Sequence, residues 1–353
     1  MTESVKMILL DLKVDDDESL SESRDSSPYS KLKEKLRTRK CELKAFSLNF
    51  ESVGSLGVYE RQDCSNDCFS HPWDVRFSRK YNCIVISDYG NHRIQVFCAN
   101  SKEYKTTLKF STTIYSPASL YIEHDYDGYD REALFVEYEI DEARYISKYD
   151  LESFLINSME QVETHELWKS TKCSCPAGIA VWKKTRSIHD RIVFVCDYDE
   201  SVIYLFKSST GEFISALTSD SPLFYIKHPL GIDISMEGLV FISQGLSQNN
   251  ILILRYSYEN GKWITLNKIS NVNDLFSVPR GLVFDNVSKR LLVSICESNT
   301  IQVFTEDGAF CQMFGYNKKD KNGFLNPDGI CVNELTGELY VCDYGNHRIQ
   351  IYK

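Results

Sequence analysis

The sequence has no apolar run approaching the roughly 18 residues that a membrane-spanning helix needs, so no such helix is expected. Its start holds only a short apolar patch, Met7 to Leu10, before Asp11. That is too little for the core of a secretory leader, and none is expected. An excess of basic charge is missing as well: 40 Lys and Arg stand against 50 Asp and Glu, a formal net charge of −10. Residues 1–40 carry nine acidic and nine basic groups, so the whole excess falls on residues 41–353. A nucleic-acid binder displaces phosphate counterions with a basic surface, and an acidic body argues against that class. With no leader, the twelve cysteines are read as reduced thiols of a cytoplasmic protein. Several (Cys83, Cys196, Cys331, Cys342) fall in apolar strand patterns, where Cys acts as a small hydrophobe.

What is present is a large core and many aromatics. Hydrophobic residues make up 42% of the chain, and 21 Tyr with 19 Phe favour strands over helices. Internal repetition then decides the architecture. Asp88 to Phe97 reads DYGNHRIQVF, and Asp343 to Tyr352 reads DYGNHRIQIY. Each copy follows a proline (Pro72, Pro327), a short alternating strand, a turn and a second strand that ends in the Asp. Weaker copies of the frame follow Pro117, Pro176, Pro229 and Pro279. A period near fifty residues with several short strands per unit marks the blades of a β-propeller. The expected fold is therefore all-β: six blades of four antiparallel strands, beginning near residues 72, 117, 176, 229, 279 and 327. The longest interval holds Leu151 to Trp168, whose Glu and Leu spacing suggests a short helix outside the blade.

The turn residues read first as structure. Gly90-Asn91 and Gly345-Asn346 supply residues that tolerate positive φ in a tight hairpin. Asp88 and Asp343 are expected to accept hydrogen bonds from the turn backbone. Arg93 and Arg348 are expected to reach an acidic group or carbonyl of the adjoining blade. The chain stops at Lys353 with the sixth blade one strand short. Residues 42–52, which include the alternating LKAFSLNFE, are expected to fill that edge, because an open edge leaves backbone donors and acceptors unpaired.

This frame closely resembles the NHL repeat family. Asn91-His92-Arg93 and Asn346-His347-Arg348 stand where that family has Asn-His-Leu, and the likeness covers about residues 42–353. It implies a six-bladed propeller that serves as a binding platform for protein or RNA. Relatives often carry an upstream zinc-binding RING and B-box; here only Cys41 lies in the first sixty residues, so neither that module nor ubiquitin-ligase activity is expected. Residues 1–40 read instead as a disordered charged tail. Asp15 to Ser27 is acidic and Ser-rich, and Lys31 to Lys40 is basic, with a short helix suggested over Ser30 to Arg39.

Other chemistry is thinly signalled. Cys64, Cys68 and His71 have loosely metal-like spacing without a second half-site. Asp125, Asp127 and Asp130 lie in a calcium-like loop that lacks the later bidentate Glu. Propeller lyases place a zinc-binding His just after the repeat proline, but here those residues are Trp73, Ala118, Ala177, Leu230, Arg280 and Asp328. No cofactor or metal is expected, and a metal-dependent hydrolase or lyase ranks last. The first reading is a non-catalytic module whose face, carrying His71, Trp73, Tyr89, Asn91, His228, Arg280, Asp328 and Tyr344, recognises a protein or peptide. An RNA-binding propeller is the alternative.

Overall fold

The computed structural model describes residues 43–108, 114–156, 166–185, 187–217, 225–245, 248–270, 274–315 and 323–353. The charged tail, its suggested helix and Cys41 lie outside these residues. Residues 43–353 form one compact unit. The first strand is Ser52–Leu56 (β1). Blade one follows with Pro72–Ser78, Cys83–Asp88, Arg93–Cys98 and Tyr104–Leu108 (β2 to β5). Blade two has Leu120–Glu123, Ala133–Ile140, Ala143–Asp150 and Glu166–Ser170 (β6 to β9); blade three has Pro176–Lys183, Arg191–Asp197, Val202–Lys207 and Phe213–Leu217 (β10 to β13). Blade four has Pro229–Ile234, Leu239–Gln244, Asn250–Ser257 and Lys262–Ser270 (β14 to β17); blade five has Pro279–Asp285, Arg290–Ile295, Thr300–Thr305 and Phe310–Phe314 (β18 to β21). Blade six has Pro327–Asn333, Glu338–Asp343 and Arg348–Tyr352 (β22 to β24), with β1 as its outer strand.

The strand period of two gives each blade two apolar faces, and both are covered. Six clusters of buried residues result, one at each blade–blade interface. Ile84 and Ile86 of blade one meet Tyr340 and Ile349 of blade six, while Val85 and Val96 on the opposite face meet Leu134 and Val136 of blade two. A ring in which every sheet buries both faces against neighbours has no free end except the short outer edges.

Inner-strand glycines set how closely the blades approach. Pro-x-Gly recurs at Gly178, Gly231, Gly281 and Gly329. A Cβ on Gly231 would lie 2.3 Å from the Arg280 carbonyl oxygen, and one on Gly281 2.4 Å from the Asp328 carbonyl oxygen. Blades one and two carry Asp74 and Ser119 at this position.

Ring closure differs in register from the sequence expectation. The strand that pairs with β24 is Ser52–Leu56, which overlaps the expected residues 42–52 only at their end: Ser52 faces Tyr352, Leu56 faces Ile349, and Glu51 exchanges backbone hydrogen bonds with Lys353. Residues 43–50 do not extend as a strand, because Leu48 and Phe50 have φ of 64° and 52°. Instead the Lys44 N–H donates to the Glu334 carbonyl, and the Phe46 N–H to Asp285 Oδ2. Phe46 and Phe50 then fill the interface between blades five and six, with Phe50 stacked on Phe314 at 4.6 Å.

Two further expectations shift. The helix covers Leu151–Ile156 (α1), between β8 and β9 of blade two, and Trp168 lies in β9. Blade two's inner strand starts at Leu120 rather than at Pro117.

Candidate functional site

The repeat turn is built differently from a two-residue hairpin. Tyr89–Asn91 and Tyr344–Asn346 each form a single 3-10 turn, and the left-handed residue is the following His92 (φ 53°) or His347 (φ 57°). Gly90 is needed for closeness, since a Cβ there would lie 2.3 Å from Ser70 Oγ. Asp88 serves the preceding loop more than the turn backbone: its Oδ1 accepts the Ser70 N–H at 2.7 Å. Its Oδ2 accepts from Asn91 Nδ2 and Arg93 Nε. Arg93 then reaches the carbonyls of Cys64, Ser65 and Cys68 in the loop entering its own blade, not the adjoining blade. Asp343, Asn346 and Arg348 repeat this arrangement in blade six.

The left-handed turn residue has a second role. Its side chain accepts a hydrogen bond from the N–H of the residue just before the next blade's proline. His92 Nδ1 takes it from Ser116, Ser201 Oγ from His228, Asn249 Oδ1 from Val278, and Asn299 Oδ1 from Asn326. His347 Nδ1 takes it from His71 and so joins blade six to blade one. All five pre-proline residues also have positive φ, from 47° to 55°. Non-glycine residues persist there only when their surroundings hold them.

These latches stand immediately before five of the six repeat prolines. Trp73, Ala118, Ala177, Leu230, Arg280 and Asp328 converge on one cavity of about 290 Å³ at a mouth of the central channel. Tyr89 and Tyr198 add aromatic wall, and Glu137, Arg144 and Cys175 add a polar flank from blades two and three. Trp73 lies 4.9 Å from Tyr89 and 5.8 Å from Tyr344, centroid to centroid. The Arg280 guanidinium sits 5.1 Å above the Trp73 ring and bonds Asp328 at 2.8 Å.

Every arginine of the cavity faces a carboxylate. Arg76 pairs with Asp74 at 3.0 Å, Arg144 with Glu137 at 2.8 Å, and Arg280 with Asp328. Burial dominates these carboxyls. It pushes Glu137 up to about 7 and Asp74 up to about 6, and it raises Asp328, each against the pull of its arginine. Arg76 also donates to the carbonyls of Leu120 and Ile330 and lines a second cavity of about 360 Å³ toward the other mouth.

Of the eight face residues named from sequence, Trp73, Tyr89, Arg280 and Asp328 line the cavity. Tyr344 packs against Trp73, and His71 packs against Tyr344 at 4.7 Å. His228 packs against Tyr198 at 4.8 Å. Asn91 belongs to the turn, held by Asp88 and the Asp63 carbonyl, and does not reach the cavity. The sequence reading missed Tyr198, Glu137 and Arg144. Tyr198 was within reach, since it follows Asp197 as Tyr89 follows Asp88. Glu137 and Arg144 belong to the degraded second blade and carried no signal.

The metal-like spacings resolve into structure. Among the described residues no group of three or more His, Cys, Asp or Glu is arranged to hold a metal ion. Asp127 pairs with Arg131 at 2.6 Å, Asp125 lies 3.7 Å from Arg191, and the Asp130 N–H donates to Asp125. Cys68 is buried, while Cys64 is exposed. Among the described residues no helix is long and apolar enough to cross a membrane.

The NHL repeat family model matches residues 69–97 and 324–352, the first blade and the last. No curated protein matches the chain in sequence. Solved structures of similar fold include an auxiliary nutrient binding protein from Bacteroides thetaiotaomicron (TM-score 0.58, 15% identity, 81% of this chain and 69% of that one). Another carries the same description from Bacteroides ovatus (TM-score 0.57, 14% identity, 88% and 74%). A third is a streptogramin B lyase (TM-score 0.52, 14% identity, 88% and 89%). At such identities the likeness is one of fold.

Proposed function

We propose that this β-propeller, with NHL repeats in its first and last blades, is a non-catalytic binding module whose channel mouth takes a side chain of a protein or peptide partner. The observation that carries this reading is the convergence of all six post-proline residues on one aromatic-walled cavity. A cavity of about 290 Å³ suits one or two large side chains at the centre of a wider contact, and Trp, Tyr and Arg are the usual anchors of such contacts. A rigid wall also limits the ordering cost of binding. The cytoplasm is proposed as the site of action, which cell fractionation tests.

The charge balance disfavours RNA at this mouth. Arg76, Arg144 and Arg280 are each matched by a carboxylate, so the site offers phosphates little net attraction. Tight, steeply salt-dependent RNA binding in a filter assay would reverse that preference. Stoichiometric zinc or calcium in elemental analysis would revive a metal-dependent enzyme.

The direct test is recovery of a partner by the immobilised chain. Trp73→Ala with Arg280→Ala is expected to abolish recovery while the thermal transition stays cooperative. Trp73→Ala alone leaves the Arg280–Asp328 pair in place and separates loss of the cavity wall from loss of fold. Undiminished recovery by both variants would remove this mouth from consideration.

A further inference from the structure

We propose that Cys83 and Cys98 form a reversible cross-strand disulfide when the protein meets a hydroperoxide, a modification site distinct from the channel mouth. The two residues are direct partners in the antiparallel pairing of β3 with β4. Directly opposed residues of such a pair project from the same face of the sheet. The Ala99 N–H donates to the Asn82 carbonyl at 3.0 Å, immediately outside the pair. A bond in that place makes Cys83–Cys98 a non-hydrogen-bonded pair, the kind whose Cα atoms approach to about 4.5 Å. A disulfide spans Cα separations of about 4.4 to 6.8 Å, so side-chain rotation closes the bond with little backbone movement. Among the described residues no other two cysteines are register partners across strands.

The two thiols are suited to different steps. Cys98 is partly exposed, and hydrogen bonds from Ser101 and Asn100 hold its thiol below the usual cysteine range. Cys83 is fully buried, and burial pushes its thiol up to about 12. A lowered, accessible thiol reacts first with peroxide. The Cys98 sulfur attacks the terminal peroxide oxygen, the O–O bond breaks, the leaving oxygen takes up the Cys98 proton, and Cys98 sulfenic acid forms with water (from hydrogen peroxide) or an alcohol (from an alkyl hydroperoxide). Cys83 sulfur then attacks the Cys98 sulfur, the S–O bond breaks, the hydroxide leaving group takes up the Cys83 proton, and one water departs. Two thiols are oxidised and one hydroperoxide is reduced.

The bond would close the open end of the β3–β4 hairpin. The other end of that hairpin carries Tyr89 of the cavity wall and His92, which holds Ser116 of blade two.

The test uses the full reduced chain, treated with hydrogen peroxide, alkylated under denaturing conditions and digested without reductant. The expected result is one cross-linked peptide containing Cys83 and Cys98, two hydrogens lighter than its halves and released by dithiothreitol. Cys83→Ala should instead trap Cys98 as a sulfenic acid that dimedone captures. Cys98→Ser, altered at a partly exposed site, should give no cross-link at Cys83 and should keep the wild-type thermal transition whether or not peroxide is added. The proposal is overturned if wild-type Cys83 remains fully alkylable after treatment, or if Cys98 bonds to a different cysteine.

Discussion

The His71 backbone N–H donates to Nδ1 of His347 at 3.1 Å, across 276 residues of sequence, and so ties the last blade to the first. The bond exists only while Nδ1 is unprotonated. Burial pushes both His71 and His347 below the usual histidine range. The unfolded chain therefore takes up protons on these histidines at pH values where the folded one does not. Stability should be fully present above about pH 6.5 and fall as pH drops from there through the lowered folded values. Asn fills the same position in blades four and five, where it accepts the same bond without titrating. His347→Asn should thus keep near wild-type stability at pH 7.5 and lose less of it at pH 5.5. His347→Ala removes the acceptor and leaves a non-glycine residue at positive φ, at a cost of about 1–3 kcal/mol. Urea midpoints at the two pH values decide between these outcomes.

Close approach of the inner strands gives a second expectation. Gly231 lies against the Arg280 carbonyl with no room for a methyl group. Its neighbour Arg280 carries one of the cavity's three guanidinium groups, so displaced backbone here moves the site itself. Gly231→Ala should destabilise by about 1–3 kcal/mol, as overpacking of a close contact does. Thermal unfolding measures the loss. Ala118→Gly, at a cavity-lining position with no such contact, is the comparison.

The ring was legible in the sequence because its signals are local. The Asp-Tyr-Gly-Asn-His-Arg copies sit in hairpins, and five of the six repeat prolines open an inner strand or lie at its first residue. The latch was not legible. Its acceptor is His, Ser or Asn in different blades, and its donor is a backbone N–H in the next blade, so no residue type marks it. The closing strand was displaced for a related reason. Phe46 and Phe50 suggest alternation, but as both bury between blades five and six the backbone turns left-handed at Leu48 and Phe50 and leaves Ser52–Leu56 to pair. Glu137 and Arg144 entered the site from the blade whose repeat is most eroded, where no frame fixed their direction.

Blades two and three share a buried ionic group. Glu123 bonds Lys148 at 2.7 Å and Arg191 at 3.0 Å, and Ser208 Oγ donates to it at 2.6 Å. Lys148 and Glu123 are only 2% and 1% exposed, so neither can turn to water if the other is lost. Glu123→Gln removes the charge that both cations face. Breaking a buried pair on one side costs about 3–5 kcal/mol. The expected result is a large fall in the urea midpoint, partly restored by adding Lys148→Met, which removes one of the stranded cations.

Closure by residues 43–56 yields the most consequential expectation. Removing residues 43–56 leaves the β24 edge unpaired and empties the space that Phe46 and Phe50 fill between blades five and six. The variant Phe46→Ala/Phe50→Ala keeps the strand pairing and removes only the packing. Each Phe→Ala change in a core costs about 3–5 kcal/mol, a large share of a domain's net stability. The double variant should unfold cooperatively at a much lower denaturant concentration. The truncation should instead lose cooperativity, because blade six then has neither its outer strand nor its full contact with blade five. Amide exchange separates the two cases: in the truncation Ile349 and Ile351 should lose protection before the N–H groups of Ile84 and Ile86. A truncated chain that unfolds with the wild-type midpoint and slope would mean that β24 is not held by β1.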